Sequence, residues 1–193
     1  MDAMRAVQEV GARHGIPVHM DGARLFNAAT ALGVEARELA DCVDSVQFCL
    51  SKGLCAPIGS VLCGDADFIA RARKYRKMLG GGMRQTGVLA AAGIIAIEEM
   101  TKRLAEDHAN AKLLAGLLNG LPGVSVDMDA VQINMVFATF GWEGLEELKP
   151  WMAERGAIVG EPDGNVVRFL TNNDVDEESC RHLVELLAEF RER

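Results

Sequence analysis

Several things are in short supply in this sequence. Aromatic residues make up 5% of 193, proline occurs 5 times, and Lys+Arg number 20 against 28 Asp+Glu, a net charge of −8. An acidic chain is a poor partner for a phosphate backbone or an anionic membrane, and the one basic cluster, Arg71 to Lys77, is too local to reverse that. No stretch approaches the ~18–20 consecutive apolar residues of a membrane helix. The opening MDAMRAVQEVGARHG lacks the basic head and apolar run of a secretory signal. The five cysteines form no CxxC pair and the four histidines are scattered, so neither a disulfide scaffold nor a metal site is expected, and reduced thiols in a cytoplasmic protein are.

Glycine, at 20 copies, and a 49% hydrophobic content point to close-packed helices and tight strand–helix turns. The length is ample for a core, in one domain or a domain with a small lobe. A helix is expected from the start, with Met4, Val7, Val10 and Gly11 on one face, stopped by Gly15-Ile16-Pro17. A strand over 17–20 then ends in Asp21-Gly22, and a helix follows over 23–32. Strands over 45–50 and 60–64 and a helix over 65–79 complete an α/β layer. Beyond Gly80-Gly81-Gly82 a long or broken helix is predicted over 86–118. Next come strands at 124–127, 135–140, 157–159 and 166–170, a helix near 145–155, and a final helix from Asp176 striped by Cys180, Leu183, Leu187 and Phe190. The domain division read from this pattern is 1–100 and 101–193, the second part being a small α+β lobe.

In layered α/β sheets, ligands gather at the carboxyl ends of strands, and two candidate residues are expected there. Lys52 follows an apolar strand, in a stretch from Phe48 to Gly64 without another charged side chain. A lysine drawn into such surroundings is pushed toward the neutral amine that Schiff-base chemistry needs, although a lone lysine is more often a solvated charge. Asp21 before Gly22 fits an ordinary turn or cap. It also fits a carboxylate aimed at a cationic ring nitrogen. Gly80-Gly81-Gly82, bracketed by Lys77 and Arg84, is either a plain hinge or a run of accessible amides for an anion, and it lacks Walker-loop spacing. Arg168, between apolar neighbours, is either the polar face of an edge strand or a bidentate grip on a carboxylate.

Taken together these segments resemble a family. His19-Met20-Asp21-Gly22-Ala23-Arg24-Leu25-Phe26-Asn27-Ala28 is similar to the pyridine-binding motif of low-specificity L-threonine aldolases, and Ser51-Lys52-Gly53-Leu54 with Ala56-Pro57-Ile58-Gly59-Ser60 to their Schiff-base lysine segment. Arg76 to Gln85 and Gln132-Ile133-Asn134-Met135-Val136 resemble two further blocks of that family, in the same order. The resemblance implies the C-terminal portion of a fold-type I, aspartate aminotransferase-like large domain that binds pyridoxal 5'-phosphate, with a small α+β C-terminal domain. It implies cleavage of threonine or allo-threonine to glycine and acetaldehyde.

By the same resemblance Lys52 holds the cofactor and Asp21 partners its ring nitrogen. Ser51 touches the phosphate, and Arg24 serves cofactor and substrate. Arg168 clamps the substrate carboxylate, while Lys77 and Arg84 reach the site across an interface, which implies a homodimer or homotetramer. The alternatives are another fold-type I lyase, such as a β-eliminating one, and a truncated non-catalytic homologue. Family members carry a long N-terminal part, including the cofactor-phosphate loop and a ring-stacking histidine, that this sequence lacks. Its helical texture from residue 1 fits a piece of something longer, with weak or no turnover expected alone. Asn172 also departs from the histidine that the family often has there.

Overall fold

A computed structural model describes residues 1–193, which form two compact units, Met1–Leu104 and Ala105–Arg193. In the first unit the helix α1 (Asp2–His14) ends where Gly15 takes the left-handed conformation, φ +62°. Then follow β1 (His19–Asp21), α2 (Leu25–Leu32), α3 (Ala36–Ala40), β2 (Ser45–Cys49) and β3 (Ser60–Gly64). The unit closes with α4 (Ala66–Met78) and α5 (Gly87–Glu98). The sheet has the order β1-β2-β3. β1 runs parallel to β2 with Asp21 opposite Gln47, and β3 is antiparallel with Cys49 opposite Ser60. A parallel pair needs a crossover, and α2 with α3 supplies it.

The alternation of β2 turns Val46 and Phe48 into a core with Leu25, Ala29 and Leu39; Phe26 meets Phe48 edge to face at 5.2 Å. A second cluster joins Leu54, Ala56, Ala96 and Leu104. Each of the valine, leucine and phenylalanine side chains contributes about 1.5–3 kcal/mol on burial. The rest of the unit is thinly covered. α4 buries no residue, and α5, whose only charge is Glu98, leaves Val88, Ile94 and Ile95 more than half exposed. Likewise the expected apolar face of α1 is only partly used. Met4 packs against the core, but Val7 and Val10 stay exposed because nothing in the unit covers that side of the helix.

The expected long helix is broken. A 3-10 turn, Met100–Arg103, separates α5 from α6 (Leu104–Asn119). The second unit continues through β4 (Val124–Val126), β5 (Met135–Phe140), α7 (Leu148–Ala153), β6 (Val166–Leu170) and α8 (Glu177–Arg191). Pro150 sits in the first turn of α7, where a missing N–H costs nothing. The sheet β4-β5-β6 is antiparallel throughout, with Phe137 opposite Arg168. Val136, Ala138, Phe140, Val167 and Phe169 face inward onto α6 (Ala111, Leu114, Ala115, Leu118) and α8 (Cys180, Leu187, Phe190). That is helical spacing meeting strand alternation over one core. Asp176 caps α8 by accepting from the Ser179 N–H at 2.8 Å and hydroxyl at 2.6 Å, bonds that hold its carboxyl below the ordinary value. The strand expected at 157–159 is absent. Those residues run beside β6 without joining its ladder. No helix is long and apolar enough to cross a membrane.

Candidate active site

Asp21 is the last residue of β1, and the turn after it is built around its carboxylate. The Ala23 amide donates to Oδ1 at 3.1 Å, and the Gln47 side-chain amide donates to the same oxygen at 2.5 Å. Gly22 donates its N–H to the Gln47 carbonyl at 2.8 Å. A Cβ at Gly22 would fall 2.8 Å from that same oxygen, so only glycine lets the turn close on β2. Both hydrogen bonds to the carboxylate thus fall on Oδ1 and fix its orientation, leaving Oδ2 as an acceptor. The sequence reading missed Gln47. Its signal is that of a polar residue in the middle of an apolar strand, and only the register shows that it stands opposite Asp21.

The parallel pairing brings the carboxyl end of β2 to the same sheet edge as Asp21. Past that end come Ser51, Lys52 and Gly53. The Leu50 carbonyl accepts from Ala56 at 3.0 Å and the Lys52 carbonyl from Cys55 at 2.9 Å, so the segment is a wound turn, with Cys55 at φ +59°. Gly53 is buried against α2, where a Cβ would meet the Asn27 amide oxygen and a Leu104 methyl at 3.2 Å each. The helix that follows Asp21 therefore packs directly on the residue that follows Lys52. Arg24, half-buried, is the N-cap of that helix. Ser51 and Lys52 are exposed. This corrects the expected desolvated setting for Lys52: Leu54 and Ala56 turn into a cluster with Ala96 and Leu104, Cys55 and Ile58 are exposed, and Lys52 is left at the surface.

Asp21, Arg24, Ser51 and Lys52 thus belong to one unit and one sheet edge. Lys77 and Arg84 lie farther along the same unit, exposed, at the end of α4 and in the loop after it. The Lys77 amine lies over Gly82, where a Cβ would be 2.6 Å from Nζ. Arg168 is in the second unit, exposed on the outer face of β6. It is the polar face of an edge strand that the alternation allowed, available to an anion. A cavity of about 660 Å3 in that unit is lined by Arg168 but by none of the four residues around Lys52. Asn172 is also at its rim, its side chain engaged in accepting from the Asp174 amide at 2.8 Å.

The family model described as beta-eliminating lyase matches residues 1–140, nearly three quarters of the chain. The chain belongs to the beta-eliminating lyase family. Its relatives include the low-specificity L-threonine aldolase 1 of Arabidopsis thaliana, 44% identical over 173 residues, or 88% of this chain and 48% of that protein. The low specificity L-threonine aldolase of Escherichia coli K12 is 40% identical over 188 residues, 97% of this chain and 54% of that one. The chain therefore spans about half the length of the curated relatives it matches. Among solved structures, the threonine aldolase of Leishmania major superposes with a TM-score of 0.72 at 18% identity, covering 97% of this chain and 55% of that one. At that identity the likeness speaks for the fold, which is that of the fold-type I pyridoxal-phosphate enzymes.

Proposed function

We propose that this chain carries the lysine-bearing half of a pyridoxal-phosphate-dependent aldolase that cleaves L-threonine or L-allo-threonine to glycine and acetaldehyde. The observation that carries this reading is the sheet edge shared by Asp21 and the Lys52 turn. There one carboxylate oxygen is held by Gln47 and Ala23 while the other is left to accept. Such an acceptor fits a protonated pyridine nitrogen, and glycine at positions 22 and 53 lets the turn after Asp21 close on β2 and the turn after Lys52 pack on α2. The bound cofactor supplies an electron sink for the pair released when the Cα–Cβ bond breaks.

The chain's own residues supply attachment and orientation. Lys52 binds the cofactor through its amine, and Ser51 offers a hydroxyl to the phosphate. Asp21 keeps the ring nitrogen protonated, and Arg24 stands at the helix start beside it. Arg168 grips the substrate carboxylate with its planar guanidinium. Lys77 and Arg84 serve the site of a second copy, in a homodimer or homotetramer. On this reading Met1–Leu104 is the remainder of the cofactor domain and Ala105–Arg193 the small domain. Turnover by this chain alone is expected to be weak, because β1 and β3 each pair on one side only and leave open edges.

The test is reductive trapping. Borohydride treatment of the protein incubated with pyridoxal phosphate, followed by digestion and mass analysis, is expected to place a pyridoxyl group on Lys52 and to lose it in Lys52→Ala. Label on another lysine, or none, overturns the reading. Product analysis separates the second reading, β-elimination: glycine with acetaldehyde supports the aldolase, pyruvate with ammonia the eliminating lyase.

A further inference from the structure

β6 presents hydrogen-bonding groups on both sides. The Thr171 amide donates to the Asn134 carbonyl at 3.1 Å, and the Phe140 amide to the Asn165 carbonyl at 2.8 Å. By antiparallel alternation, the main chain of residues 167 and 169 turns toward β5 and that of Arg168 and Leu170 turns away. On that outer side the chain doubles back. Asp163 and Val166 exchange both main-chain hydrogen bonds, at 2.9 and 3.0 Å, around a turn with Gly164 at φ +60°. This is the first rung of a hairpin. Continued in register, it would set Glu161 opposite Arg168 and Val159 opposite Leu170.

The rung is not continued. No main-chain hydrogen bond joins residues 157–162 to Arg168 or Leu170. Gly160 packs on Arg168, where a Cβ would lie 3.4 Å from the carbonyl oxygen. The side-chain exposures put the arm one residue out of step with the hairpin register. Because side chains alternate, that step decides which residues face inward. Val159 is buried at 7% exposure and Ile158 is 98% exposed. The cavity of about 660 Å3 opens here, bounded by the arm, by β6 and by Leu114, Val175 and Leu183. Glu161 meanwhile pairs with Lys149 at 2.7 Å in a contact exposed on both sides, which is weak and readily exchanged.

We propose that Gly156–Pro162 is a two-register strap. In its second register the ladder is completed from Val159 and Glu161 to Leu170 and Arg168, and Ile158 enters the cavity in place of Val159. The Glu161 carboxylate then moves from Lys149 to stand across from the Arg168 guanidinium. The exchange swaps one branched aliphatic side chain for another while making four main-chain hydrogen bonds between groups that are otherwise unpaired. Pro162 suits this register, because its missing N–H is on the side away from β6. Glu161 in that position competes with an incoming carboxylate for Arg168. This consequence rests on the role proposed for Arg168 above, whereas the change of register does not.

Amide hydrogen exchange followed by NMR on the intact chain tests it, with the Val167 and Phe169 amides as internal references. The Arg168 and Leu170 amides are expected to exchange at least tenfold more slowly in the parent than in Ile158→Asp, a substitution at an exposed residue that bars entry to the cavity. Glu161→Gln is expected to speed the same two amides at least threefold, with the references unchanged in both variants. Equal rates in the parent and Ile158→Asp overturn the strap. Loss of protection in Ile158→Asp alone overturns the Glu161–Arg168 contact. Neither result depends on cofactor binding, so failure of the trapping experiment on Lys52 is a separate outcome.

Discussion

A carboxylate that must face a cationic ring needs one oxygen restrained and the other available, and Asp21 has this arrangement because the Gln47 side-chain amide donates to Oδ1 at 2.5 Å. Gln47→Leu keeps the approximate volume and removes that donor, leaving only the Ala23 amide on Oδ1. A hydrogen bond to a charged group contributes about 1.5–3 kcal/mol. Exposure of the site places the effect at the low end, about tenfold weaker pyridoxal-phosphate binding, read by titrating the yield of trapped label. The motif around Asp21 was legible in sequence as a strand end followed by glycine. The partner was not, since parallel pairing joins residues 26 positions apart and no local pattern specifies that register.

At the scale of elements, the end of β6 is locked by a buried polar knot. Thr171, fully buried, donates its hydroxyl to the Asp107 carbonyl of α6 at 2.6 Å, and its own carbonyl accepts from the buried Asn134 side chain at 2.8 Å. Thr171→Val preserves shape and deletes the hydroxyl. It is expected to destabilise the second unit by about 1–2 kcal/mol, with Thr171→Ser recovering most of the loss. Both tryptophans, Trp142 and Trp151, lie in that unit, so urea unfolding followed by their fluorescence reports on it directly. The strands and helices that bury one face were readable from periodicity. The strand expected at 157–159 was not realised, because its apolar residues satisfy two registers against β6 and β-propensity does not choose between them.

Across the whole molecule charge is unevenly divided: residues 1–104 carry 13 Lys+Arg against 11 Asp+Glu, residues 105–193 carry 7 against 17. Within the acidic unit, burial pushes the His108 imidazole below its ordinary value, with the Asp107 carboxylate opposing and Lys112 adding to the shift. The unfolded chain therefore takes up a proton, near pH 6.5, that the folded unit resists. Stability is expected to fall as pH drops from about 6.5 toward the lowered folded-state value. Thermal melts followed by tryptophan fluorescence at pH 7.5 and 5.5 check this. His108→Gln is expected to show a smaller difference between the two pH values than the parent. On the first unit, α4 and α5 present basic and apolar side chains outward.

Sequence alone determined most of the order of elements, the placement of Asp21 at a strand end and of Lys52 just past one, and the family, because motif identity and apolar periodicity are local properties of the chain. Tertiary structure decided what those properties cannot encode. It set Gln47 against Asp21 and packed Gly53 onto α2. It left Lys52 in water despite its apolar sequence neighbours, and it stopped the 157–162 arm one residue short of its ladder. In each case the outcome depends on which residues distant in sequence arrive at the same place, and on the hydrogen bonds and close contacts that only their meeting creates.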